Sequence, residues 1–193
     1  MAAAARILAF AGSARVESLN KKVIAVAVAG ARAAGAEVTL VDLREYPLPI
    51  YDGDWEAEHG LPDVARALRG LFLEHRGLLI AAPEYNSSIT PLLKNTIDWV
   101  TRTDGARPSL ECFEGKVAGL VSAGPGNFGG LRGLVHVRSI LGNIRVLVVP
   151  EQVAVPRAGE AFDETGKLKD ARQNAAVEGV GAAVVRLVAK LYP

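Results

Sequence analysis

Apolar positions along this chain follow two alternating rhythms. Short apolar runs are separated by longer stretches in which apolar residues return every three or four positions. The runs predict strands over Arg6–Ala11, Glu37–Val41 and residues 77–82, 116–122 and 145–149. The periodic stretches predict helices over residues 19–34 (closed by Gly35), 63–75, 90–100, a segment ending at Leu141, and 170–191. Thr90 suits the cap of the third helix and Pro91 its first turn. Residues 44–62 break the alternation. Their Pro47, Pro49, Gly53 and Gly60 predict no regular element there, and so long a loop in a compact domain is usually functional or disordered.

An uninterrupted apolar strand is one covered on both faces, and strands alternating with helices predict a parallel sheet wrapped by helices. The 193 residues, half of them hydrophobic, suit a single domain over 1–193. Ligands of such sheets bind beyond the carboxyl ends of the strands. The loops after the first, third and fourth strands meet at that end. They cover residues 12–20, 83–87 and 122–130, and they carry the unusual residues of the chain.

The first loop, Gly12-Ser13-Ala14-Arg15-Val16-Glu17-Ser18-Leu19-Asn20, passes from a strand into a helix. A helix N-terminus offers unpaired N–H groups and a positive dipole end. Ser13, Ser18 and Asn20 add side-chain donors, and Arg15 adds a cation suited to phosphate. A phosphate-bearing ligand is therefore expected, beside the plainer reading of turn and cap chemistry. In the second loop, Tyr85 offers a flat apolar face and Asn86 both donors and an acceptor for a heterocycle edge. The same residues also suit a simple surface turn. The glycines of the third loop allow close backbone approach to a ligand, and Arg132 beyond it reads as a phosphate contact or as a helix-surface arginine.

Several classes fall away. G-x-G-x-x-G and G-x-x-x-x-G-K-[ST] are absent, so Asp42 at the end of the second strand reads as a solvated strand end rather than a ribose ligand. His59, His75 and His136 lack metal-ligand spacing, and no G-x-S-x-G elbow occurs. Lys and Arg total 22 against 21 Asp and Glu, a net charge of +1, which argues against nucleic acid and anionic membrane as partners. The apolar start is short, carries Arg6 and runs straight into the first loop, so it does not read as a signal peptide. The lone Cys112 fits a reducing compartment, and a cytoplasmic protein is expected.

Three motifs in order, Gly12-Ser13-x-Arg15-x-x-Ser18-x-Asn20, Pro83-Glu84-Tyr85-Asn86 and Leu93-Lys94-Asn95-x-x-Asp98-Trp99, resemble the NADPH-dependent FMN reductase family. The resemblance implies an α/β, flavodoxin-like three-layer sandwich: a five-stranded parallel sheet of order 2-1-3-4-5 with helices on both faces. It implies non-covalent FMN, with NADPH or NADH as electron donor. By it, Ser13, Arg15, Ser18, Asn20 and the Leu19 backbone hold the phosphate. Pro83, Glu84, Tyr85 and Asn86 line the ring and ribityl chain, and Ser122 and Gly124 close the other side. It also implies a homodimer or homotetramer, with the helix bearing Trp99 as a candidate interface. Many members have Gly where this chain has Ser87.

The resemblance implies electron transfer to a small-molecule acceptor: a quinone, free flavin, or a chromate- or azo-type compound. No catalytic side chain and no metal is assigned, because the chemistry belongs to the cofactor. Two alternatives stand beside it, a flavodoxin-type electron carrier without turnover of its own and a flavin-free regulatory protein. Carriers of that type are usually acidic, unlike this chain.

Overall fold

The computed structural model describes residues 4–193. Five parallel strands form one sheet in the order β2-β1-β3-β6-β7: β1 Arg6–Ala11, β2 Glu37–Val41, β3 Gly77–Ala81, β6 Val117–Ala123 and β7 Leu147–Val155. With the short hairpin strands left out, this is the expected 2-1-3-4-5 order. The hairpin pairs β4 Glu84–Tyr85 with β5 Ser88–Ile89.

Side chains alternate across the strands, which sorts them between two cores. Ile7, Ala9, Leu79 and Ala81 face α1 (Leu19–Ala33) and α6 (Ala171–Leu191). Leu8, Phe10, Leu78 and Ile80 face α3 (Asp63–Glu74), α4 (Pro91–Val100) and α5 (Leu131–Asn143). The helices lie close on the first face. A Cβ on Gly181 would stand 2.0 Å from the Ala27 carbonyl oxygen, and one on Gly30 would stand 2.1 Å from that of Glu178. No helix among the described residues is long and apolar enough to cross a membrane.

Two expectations are corrected. Residues 44–62 are not irregular throughout: a 3₁₀ turn covers Leu43–Glu45 and α2 covers Gly53–His59. Asp52 caps α2 by accepting from the N–H groups of Asp54 and Trp55, and Gly60 closes it at φ +73°. The two glycines thus bracket the helix instead of forbidding it. Next, β7 continues past 149 to Val155, because a bulge near Pro150 absorbs the proline that cannot donate. Arg138 of α5 caps the bulge, donating to the carbonyls of Val148 and Val149 and to the Gln152 side chain. Trp99 itself packs inside the subunit. It is fully buried, edge-on to Tyr51 and Trp55, with its Nε1–H donating to the Pro49 carbonyl at 2.7 Å.

Candidate cofactor site

The carboxyl ends of β1, β3 and β6 open into one cavity of about 300 Å³. Its near end is the loop between β1 and α1. Gly12 anchors this loop: its N–H donates to the Ala81 carbonyl at 2.8 Å, and its own carbonyl accepts from Thr90 Oγ1 at 2.7 Å. A side chain there would strike Leu93, whose Cβ lies 2.9 Å from the added atom. Ser18 caps α1 through Oγ, which accepts the Asn20 N–H at 3.2 Å. Among the described residues, the N–H groups of Val16, Glu17 and Leu19 and the Arg15 guanidinium have no hydrogen-bonding partner in the protein. Free donors at a helix start, with an unpaired arginine beside them, fit the phosphate end of FMN.

The side chain of Asn20 is occupied differently. Its Nδ2 donates to the Ala123 carbonyl at 2.8 Å and its Oδ1 accepts the Ala123 N–H at 3.1 Å.

The second wall is the β4–β5 hairpin. Asn86 and Ser87 make its turn with φ of +49° and +67°, the two left-handed residues that a tight hairpin of this kind requires. Ser87 thus holds the backbone angle that glycine adopts freely. Tyr85 is half exposed at the cavity mouth. Glu84 turns its carboxylate toward α5, where it accepts from Arg132 and from the Gly133 N–H. Burial pushes the Glu84 carboxyl upward, but these hydrogen bonds and the Arg132 charge outweigh it and hold the group below the ordinary range.

The third wall is the glycine-rich loop after β6. Residues 124–126 are stitched to the segment beyond β7: the Gly124 N–H donates to Val155, Arg157 donates to Gly126, and Ala158 donates to Gly124. Phe128 stands exposed at the rim with the Arg132 guanidinium 5.0 Å above its ring.

Of the expected site residues, Ser13, Arg15, Ser18, Leu19, Asn20, Pro83, Glu84, Tyr85 and Gly124 line this cavity. Two lie outside it. Ser122 is fully buried behind the glycine-rich loop and donates through Oγ to the Gly129 carbonyl at 2.7 Å. Asn86 sits at the hairpin tip. Residues 125–130 and Arg132 also line the cavity. The glycine run signalled that loop, while nothing local singled out Phe128. The histidines lie elsewhere: His59 stacks on Trp55, His75 is buried against Leu71 and Thr39, and His136 meets Ser88 on the outer side of the hairpin. Asp42 caps the 3₁₀ turn and pairs with Lys21 at 2.5 Å.

The profile of the NADPH-dependent FMN reductase family matches residues 5–160. The chain belongs to that family. It is 34% identical over 167 residues to an NAD(P)H-dependent FMN reductase of Pseudomonas aeruginosa, covering 86% of this chain and 85% of that protein. It is also 33% identical over 172 residues to a probable NADPH:quinone oxidoreductase of Oryza sativa subsp. japonica, covering 86% and 80%. In fold it is similar to a flavoenzyme NAD(P)H:(acceptor) oxidoreductase from Paracoccus denitrificans, with a TM-score of 0.81 at 24% identity over 96% of this chain and 98% of that one. The five-stranded order and the three converging loops are thus those of a flavodoxin-like member of the FMN reductase family.

Proposed function

We propose that the protein holds FMN in this cavity and passes electrons from NADPH or NADH to a small-molecule acceptor: a quinone, free flavin, or a chromate- or azo-type compound. The observation that carries this reading is the start of α1, where the free Leu19 N–H and the unpaired Arg15 guanidinium stand at one end of a cavity whose other end offers Tyr85 and the glycine-rich loop. The chemistry supplied by bound FMN is two-electron transfer.

The chain's own residues do the holding. Arg15, the hydroxyls of Ser13 and Ser18 and the helix N-terminus neutralise a phosphate dianion. Pro83, the Glu84 backbone and Tyr85 form one wall of a slot for a planar ring, and Gly124 and its neighbours form the opposite wall. Glu84 is not available as a general acid, since its carboxylate is ionised and committed to Arg132 and Gly133. Among the described residues, no Asp, His, Cys or Lys lines the cavity.

A homodimer or homotetramer belongs to this reading. Tyr85, Phe128, Leu131 and Val135 expose large apolar side chains at the mouth and along α5, area that a second subunit would cover. Light scattering on the purified protein measures it. We also place the protein in the cytoplasm, consistent with its single buried thiol.

The function is tested by anaerobic mixing of FMN-loaded protein with NADPH, then with a quinone. Loss of the flavin absorbance band and its return on adding quinone are expected. A band that binds but never bleaches would identify an electron carrier, and absence of FMN binding would remove the cofactor assignment.

A further inference from the structure

β3 and β6 run side by side until the Ala82 N–H donates to the Val121 carbonyl at 2.9 Å. The chain then turns away at Pro83, which has no N–H to offer. Two residues further along, Ala123 of β6 points its N–H and carbonyl toward the space that β3 has left. Buried backbone groups without partners are costly, so something must take them. The Asn20 amide does so, receiving one and donating to the other at 3.1 and 2.8 Å, across 103 residues of sequence. Asn20 is itself buried. A primary amide presents a donor and an acceptor side by side, the same pair that a strand backbone presents. It therefore stands in for one residue of the departed strand.

The two ends of this clasp matter for the cavity. Asn20 lies two residues past the cap of α1, directly after the free Leu19 N–H. Ala123 is the last residue of β6, directly before the glycine-rich loop. The clasp is the direct side-chain tie between the wall that receives the phosphate and the wall that faces the ring.

From this we infer that Asn20 is a positioning residue: it sets the spacing between the β1–α1 loop and the glycine-rich loop, and does not ligate the phosphate. The inference rests on the flavin reading above, and its consequences differ from those of a phosphate contact. Loss of a phosphate ligand weakens FMN while leaving phosphate-free riboflavin untouched. Loss of the spacing between walls weakens both ligands together.

The experiment is fluorescence titration of wild type and Asn20→Ala with FMN and with riboflavin, alongside amide hydrogen exchange of the flavin-free proteins. Both affinities are expected to fall by a similar factor, roughly tenfold, as befits the loss of a buried two-bond contact. Exchange at Ala123 and across residues 124–130 is expected to quicken in the variant. A fall confined to FMN, or unchanged exchange in the glycine-rich loop, overturns the inference. Wild type that binds neither flavin would sink the flavin assignment instead, and the exchange comparison would still judge the clasp. Asn20→Asp serves as a second variant should Asn20→Ala fold poorly. It keeps the acceptor for the Ala123 N–H but opposes a carboxylate to the Ala123 carbonyl, so the glycine-rich loop is expected to loosen in the same way.

Discussion

Glu84 and Arg132 lock the hairpin to the start of α5: one carboxylate oxygen receives Nε at 2.8 Å and Nη2 at 2.5 Å, and the other receives the Gly133 N–H at 3.0 Å. The carboxylate thereby occupies the N-terminus of α5, where negative charge is favoured. Arg132 is half exposed, so the ion pair by itself is screened, and most of the contribution lies in the nearly buried Glu84 and its backbone bond.

Glu84→Gln is therefore expected to cost about 1–2 kcal/mol at neutral pH. The pH dependence follows from the lowered carboxyl. A group held below its unfolded value of 4.5 contributes fully above that value and loses its contribution as pH falls through the lower folded value. Urea denaturation of wild type and variant should show separate midpoints at pH 7 that converge in acid. Midpoints that stay equally separated would mean that the carboxylate is not the source.

At Ser87 the backbone pays for a side chain that the turn does not want. A left-handed angle costs an L-residue about 1–2 kcal/mol, while glycine adds about 0.5–1 kcal/mol of unfolded-chain entropy. Ser87→Gly is expected to stabilise the protein by roughly 0.5 kcal/mol net. Ser87→Ala keeps the φ of +67° and should bring no gain. Denaturant midpoints of the three proteins decide it, and an equal gain from alanine would refute the strain argument.

The close seam between α1 and α6 makes a sharper prediction. Only a hydrogen fits between Gly181 and the Ala27 carbonyl, since a Cβ would stand 2.0 Å from that oxygen. Gly181→Ala must push the helices apart and is expected to cost about 1–3 kcal/mol, despite alanine's better helix propensity. Gly179→Ala, with open space around it, is the control and should be neutral or stabilising. Thermal melts of the two variants should move in opposite directions or differ by several degrees.

How much of this was legible beforehand depends on where each partner sits in the chain. β1 and β3 are uninterrupted apolar runs, and burial on both faces leaves such runs little alternative. Convergence of the three loops follows from parallel topology alone. α2 escaped because Gly53 and Gly60 read as breakers, whereas their places at the first turn and the closing cap depend on Asp52 and on φ. The strand past Pro150 escaped because Arg138, twelve residues earlier, supplies the donors that hold the bulge. Asn20 was legible as a polar residue at a helix start, but its partner Ala123 is an apolar residue recruited through its backbone. No side-chain pattern announces that.

The last prediction concerns the far end of the sheet. Lys116, the buried residue just before β6, donates through Nζ to the His75 carbonyl at 2.5 Å. Burial, with the nearby Arg76 charge, pushes its ammonium down to about 8 from 10.5. The folded protein therefore binds this proton less tightly than the unfolded chain does. Between those two values the unfolded state holds more protons, so stability rises with pH, by about 3 kcal/mol across the window from this group alone. Below about pH 8 both states are protonated and the full penalty of the buried charge applies. Lys116→Met keeps the length of the stem and removes the charge, at the cost of leaving the His75 carbonyl short of a donor. The decisive quantity is the difference between wild type and variant, in which every group common to both proteins cancels. The variant is expected to be the more stable at pH 7, with the gap closing or reversing by pH 10.5, because only the wild type gains from losing this proton. Two stability curves that run parallel from pH 7 to 10.5 would show that Lys116 keeps an ordinary proton affinity in the fold.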